Sequence, residues 1–325
     1  MTVTETTPLR INRETLRMVE ICRMYYEKEL TQAEIALSVG ISRPAVSKIL
    51  SDARKQGIVR IEVVSPMGSD EDLMAEFCKY FNVQAGIIIP TSAKEEKLVQ
   101  RLLVSQAAGY IDNLLPEMKN VGLGWGETIG ELTEKLQASI TQASPDHKVC
   151  PVIGSAPFPI KSMQANELAR LFSEKIGFTP QYLHAPAFPN ARADKELFED
   201  TFEFQTIYKL WSELDTVILS VDTYPVVPDQ ATAVRFGDKL KTGKAVGVID
   251  TYFFDKNGNF IESEDDLVVR IPRDLIRNTE RVIAIVGGTE KAEALRGALM
   301  TGLITDLIVD ELTARATLKF HEDNL

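Results

Sequence analysis

Apolar residues recur every three or four positions through residues 13–57, and that spacing predicts helices. Beyond residue 66 the pattern changes. Short continuous apolar runs alternate with amphipathic stretches, as buried strands alternate with covering helices. In the first region, Met18, Ile21, Cys22 and Tyr25 give a helix over 13–28 its inner stripe. Residues 31–57, TQAEIALSVGISRPAVSKILSDARKQG, predict two more short helices joined by a tight turn at Gly40. Thr31 followed by Glu34 is a capping box, and Ile35, Ala36 and Val39 form one apolar face. Gly40 permits the positive φ that ends this helix. Ser42 is a second N-cap, and Pro44 stands in the first turn, where no amide bond is lost. Val46, Ile49, Leu50 and Ala53 then follow at the spacing of a buried stripe.

The opposite face of this last helix carries the chemistry. Pro44, Ser47, Lys48 and Ser51 stand about half a turn from the stripe, flanked by Arg43 and Arg54. Residues 42–55 hold four basic side chains against one Asp. Short, hydroxyl-rich and basic side chains suit a major groove, where they donate to phosphates and base edges. Thr31, Gln32, Ser42, Arg43, Pro44, Ser47, Lys48, Ser51 and Arg54 are therefore the candidate DNA contacts of a helix-turn-helix head. A helical hairpin with an ordinary solvated face is the competing reading.

After Gly57 the alternation in IVRIEVVSP predicts a strand leaving the head, and Pro66-Met67-Gly68-Ser69 a linker. The chain thus divides into a DNA-binding domain, 1–65, and an effector and oligomerisation domain, 66–325. In the latter, Leu73, Phe77 and Phe81 mark a helix over 70–81, a stripe able to pack internally or against a second copy. Strands are predicted at AGIIIP, 121–125, VCPVIG, 217–221, 245–250, 282–287 and the end of LITDLIVD. Helices are predicted at 93–114, 127–138, 162–175, 196–210, 289–301 and 311–319. The fold class is α/β, a mainly parallel sheet covered on both faces.

Net charge is −11, which alone argues against nucleic acid. Its distribution reverses that inference: residues 1–65 carry +2 and the remainder −13. A mildly basic head on an acidic body lets only the head approach a duplex. Cys22, Cys78 and Cys150 lie far apart and read as buried thiols of a reducing compartment. The three histidines form no ligand spacing, so no metal or other cofactor is expected. The polar N-terminus lacks the pattern of a signal peptide and no apolar run reaches membrane length, so a cytoplasmic protein is expected.

Ligands of parallel sheets bind past the carboxyl ends of the strands. Strand 121–125 runs into Gly124-Trp125-Gly126-Glu127-Thr128 and a helix start, where free amides attract an anion. Strand 282–287 ends in Gly287-Gly288-Thr289, with Lys291 beside it. These are two candidate corners of one small-molecule site. Asp222 and Asp250, each at a strand end, could accept hydrogen bonds from sugar hydroxyls or simply cap loops. The cationic and amide donors lean towards a phosphate, the carboxylates towards a neutral polyol; the sum favours the phosphate.

Five segments together resemble the SorC family of bacterial sugar-responsive regulators, the SorC/DeoR type, over residues 16–318. They are MYYEKELTQAEIALSVGISRPAVSKIL, GLGWGETI, LHAPAF (183–188), AVGVIDTYFFDKNGN (245–259) and VGGTEKAEALRGALMTGLITDLIVDELTA (286–314). The resemblance implies an effector domain like the ribose-5-phosphate isomerase and glucosamine-6-phosphate deaminase folds. It also implies a homotetramer, a dimer of dimers, whose binding to operator DNA responds to a sugar, polyol or sugar phosphate. Its pocket positions fall on Gly124, Gly126, Glu127, Thr128, the 248–250 segment and Lys291. Two departures stand out. Ser220-Val221-Asp222 replaces a common Gly-x-Gly, and Val248 stands where many relatives carry Asp. The competing functions are a sugar-phosphate isomerase or deaminase with an appended head, and an architectural DNA-binding protein without a ligand. No His or carboxylate pair is placed by motif for proton transfer, which argues against the enzyme.

Overall fold

The capping box at Thr31 forms as the sequence requires. Thr31 Oγ1 accepts from the Glu34 amide at 3.3 Å, and the Glu34 carboxylate accepts from the Thr31 amide at 2.8 Å. In this computed structural model, which describes residues 13–28, 30–56, 58–59, 70–91, 95–137, 144, 146–156, 160–225 and 235–323, the chain forms two compact units, Met1–Ser65 and Pro66–Leu325.

The first unit holds α1 (Arg13–Tyr26), α2 (Gln32–Val39) and α3 (Arg43–Lys55). Gly40 closes α2 at φ 69°, and Ser42 caps α3 by accepting from the Ala45 amide. Ile21, Cys22, Ile35, Ala36, Val46, Leu50 and Ala53 are buried together, with Met18, Tyr25, Val39 and Ile49 packed around them. Three helices of this length cannot stand alone in water, so this shared core sustains each of them. Removing the first cap, Thr31→Ala, should cost about 1 kcal/mol of head stability by denaturant titration. Ile58 and Val59 lie in a bend and pack on this core; the remainder of the strand expected after Gly57, and the linker at 66–69, lie outside the described residues.

The second unit begins with α4 (Glu71–Tyr80), capped by Asp70, followed by β1 (Ala85–Ile89), α5 (Glu96–Leu114), β2 (Asn120–Leu123) and α6 (Glu127–Lys135). Then come β3 (Lys148–Pro151), α7 (Ala165–Ile176), β4 (Thr179–Pro180), α8 (Arg192–Glu199) and α9 (Phe202–Trp211). β5 (Thr216–Ser220), β6 (Asp222–Thr223), β7 (Ala245–Ile249), β8 (Tyr252–Asp255), β9 (Arg281–Val286) and β10 (Asp306–Asp310) follow. Helices Ala292–Met300 and Glu311–Glu322 flank β10 in the chain. Among the described residues, seven strands form one parallel sheet in the order β1-β10-β9-β5-β2-β3-β4. α5, α6 and α7 cover one face through Ile111, Ile129 and Phe172. α4, α9 and the two C-terminal helices cover the other through Phe77, Trp211, Leu295 and Leu318. Every residue of β5 and β10 is buried, which is why their centres, Val217 to Leu219 and Leu307 to Val309, read as apolar runs.

Four expectations are corrected here. The strand at 245–250 is not in the parallel sheet. β7 pairs antiparallel with β6 and β8 in a separate three-stranded sheet, because Asp250 and Thr251 both take left-handed φ (41° and 71°) and reverse the chain in a two-residue hairpin. The single helix expected over 196–210 is two, because Thr201 starts a new helix by capping Phe204. The Leu73/Phe77/Phe81 stripe is buried in the unit's own core and is not presented to a second copy. Finally, Cys22 and Cys150 are buried thiols, but Cys78 is exposed.

Candidate functional site

On the head, the helix-turn-helix geometry turns Arg43, Pro44, Ser47, Lys48 and Arg54 outward as one exposed face of α3. Ser51 is half-buried. Thr31 and Ser42 spend their hydroxyls capping α2 and α3, so they stand at the helix starts beside this face with their side-chain oxygens engaged. Gln32 is half-buried in the first turn of α2.

In the second unit the carboxyl ends of β2, β5, β9 and β10 open into a cleft of about 800 Å³. It lies where the strand order departs in both directions from β5, the usual ligand position in an open parallel sheet. Gly126, Glu127, Thr128, Asp222, Asp250, Gly287, Gly288 and Lys291 all line it, so both expected corners belong to one site. The sequence reading missed the wall supplied by α5. Gln100 donates to Thr128 Oγ1 and to the Glu131 carboxylate, both at 3.3 Å, and links α5 to α6 across the cleft. No motif surrounds Gln100; only its place facing the sheet ends could have marked it.

Asp250 is the most distinctive side chain of the cleft. Its residue is 7% exposed, and its Oδ2 has no partner. The Trp125 amide donates to the carboxyl group. Burial pushes its pKa up to about 7, against the lowering effects of that amide and the Arg270 charge. It lies on the β7–β8 turn and not along a strand, so alternation from Val248 does not place it; the left-handed turn does. Gly124 does not line the cleft. It makes room for Asp250, since a Cβ there would sit 2.8 Å from Asp250 Oδ1.

The expected anion donors are largely committed. The Gly126 amide donates to the Ser162 carbonyl at 2.7 Å, and the Gly288 amide to Asp310 Oδ2 at 3.2 Å. Lys291 Nζ is 2.6 Å from Asp222 Oδ1 and donates to the Val221 carbonyl at 3.3 Å. What stays open is the start of α6, where Gly126 offers no side-chain cap to the first amides. Among the described residues, seven acidic and three basic side chains line the cleft, so this lining is net acidic.

A family described as "Putative sugar-binding domain" matches residues 65–319, and one described as Sigma-70, region 4, matches residues 16–56. The sorbitol operon regulator of Klebsiella pneumoniae is 26% identical over 326 residues, covering 95% of this chain and 99% of that protein. The chain belongs to the SorC family of sugar-responsive transcriptional regulators. The deoxyribonucleoside regulator of Bacillus subtilis is 28% identical over 308 residues, covering 92% of this chain and 96% of that protein. The crystal structure of the full-length Klebsiella SorC has the same fold, with a TM-score of 0.70 at 24% identity over 94% of this chain and all of that one. Like its SorC-family relatives, the chain is a DNA-binding regulator and not an enzyme. Among the described residues no helix is long and apolar enough to cross a membrane.

Proposed function

We propose that this regulator controls an operon for carbohydrate or polyol catabolism in the cytoplasm. Residues 1–65 read a dyad-symmetric operator through the exposed face of α3, and residues 66–325 assemble the homotetramer and hold the effector. The effector is a small neutral polyhydroxylated molecule, a sugar or polyol, bound in the cleft beyond β2, β5 and β9.

The observation that carries this reading is the buried Asp250 carboxyl, with one oxygen unpartnered in a cleft of net acidic lining. A carboxyl there pairs with a ligand hydroxyl, and the surrounding acidic side chains repel a phosphate. Lys291, the expected phosphate anchor, is already neutralised by Asp222 at 2.6 Å. The acidic lining favours a neutral ligand over the phosphate expected from sequence. The start of α6 supplies backbone amide donors for ligand oxygens.

A thermal-shift panel of matched free and phosphorylated sugars and polyols, followed by calorimetry, tests the effector class. A free sugar or polyol should stabilise the protein at least as well as its phosphate, and Lys291→Ala should weaken both forms alike. A phosphate preferred tenfold or more, with that preference lost in Lys291→Ala, would make Lys291 an anion anchor and overturn the neutral-ligand reading.

A further inference from the structure

Arg270 lies outside the cleft, yet it grips the turn that carries Asp250. Its guanidinium is almost fully enclosed, 7% exposed at the side chain. Nη1 donates to Thr251 Oγ1 at 2.6 Å, and Nη2 to Asp266 Oδ2 at 2.5 Å. The Cζ stands 3.6 Å from the centroid of the Tyr252 ring. Thr251 in turn donates to the Asp250 carbonyl at 2.5 Å. The Arg270 backbone bridges Ile153, just past β3, so the grip is anchored to the rim of the main sheet.

We propose that Arg270 is the positioning residue of the effector site, and that its hold on the Asp250–Thr251 turn decides whether the site offers a carboxylate or a carboxylic acid to a ligand. Two adjacent residues in left-handed backbone conformations, neither of them Gly, need an external hold. Arg270 supplies it through Thr251, with Asp266 and Tyr252 fixing the guanidinium from behind. The same cation faces Asp250 electrostatically and favours its ionised form, while desolvation and the Asp222 charge oppose it. Asp222 is itself tied to Lys291, and Trp125 contributes its amide from the β2 side. These opposed influences leave Asp250 titrating at about 7, where small changes in the Arg270 hold alter which form a ligand meets. Ligand affinity then depends on pH across neutrality.

This inference rests on the cleft being the effector site, but its test needs no ligand. Infrared difference spectra of the full-length ligand-free protein follow the protonated-carboxyl band of Asp250 with pH, identified by its loss in Asp250→Asn. In the wild type the band should disappear with a midpoint near 7. Arg270→Met should raise that midpoint by roughly one unit or more, and Arg270→Lys should restore most of it. Thr251→Val keeps the charge and removes only the tether, so it serves if Arg270→Met does not fold; it should raise the midpoint by a smaller amount. A merely structural Arg270 would lower the melting temperature and leave the midpoint in place. An unchanged midpoint in folded Arg270→Met, or in Thr251→Val, overturns the proposal, as does a wild type with no Asp250-dependent band titrating near 7. None of these outcomes bears on whether the cleft binds a sugar.

Discussion

Asp250→Asn should be more stable than the wild type above pH 8, with the advantage vanishing towards pH 4. The group's pKa is raised from 3.8 in the unfolded chain to about 7 in the native state. The native state therefore holds this proton more tightly than the unfolded state. The resulting stability is fully present below the unfolded pKa and is lost as pH rises through the folded one. A shift of this size corresponds to at most about 4 kcal/mol at alkaline pH. The asparagine keeps the oxygen that accepts from Trp125 and places its amide where Oδ2 has no partner. An unpaired amide there costs about 1–3 kcal/mol, smaller than the relief from burying no charge. Chemical denaturation of both proteins from pH 4 to pH 9 measures the difference directly. A gap that does not change with pH would mean that Asp250 does not titrate between these limits. The same variant should lose effector binding, since its amide cannot accept the ligand's hydroxyl proton.

The second large effect belongs to the head. Arg43→Ala with Lys48→Ala should weaken operator binding by tenfold to a hundredfold or more without lowering the head's thermal stability. Both side chains are exposed on α3, opposite the buried Val46, Leu50 and Ala53. A base-reading contact contributes roughly 1–3 kcal/mol and relaxes specificity at one position. A phosphate contact instead lowers the salt slope by about one when removed. Gel-shift titrations of each single variant at two salt concentrations separate these roles. Wild-type affinity in both single variants would show that this face of α3 does not read the operator.

The head was almost fully legible because its determinants are local. The Thr31–Glu34 box, Gly40 and Ser42 act within a few residues of themselves, so spacing alone reveals them. The parallel sheet was legible as buried apolar runs, but pairing was not. AVGVI has the composition of a central strand; only the left-handed pair Asp250–Thr251 turns it into a hairpin, and neither residue is a glycine to announce it. The candidate site divides the same way. Glycine turns and Lys291 pointed to strand ends that open into the cleft. Sequence could not show that Asp222 neutralises Lys291, nor that Gly124 exists to admit the Asp250 carboxyl, because both depend on contacts between distant segments. Gln100 and Arg270 carry no motif at all and act through where α5 and the 266–271 segment pass the cleft.

If the proposed function holds, occupancy of the cleft governs the head's hold on DNA. Fluorescence anisotropy of labelled DNA from upstream of the regulated operon, titrated with the full-length protein, tests it directly. The titration is run with and without the sugar or polyol selected by thermal shift. Saturating ligand should change operator affinity by about fivefold to 150-fold, the usual range of allosteric coupling. Asp250→Asn should bind the operator as the ligand-free wild type does and fail to respond to the ligand. A ligand shown by calorimetry to bind the wild-type protein, yet leaving its operator affinity unchanged, would contradict the account.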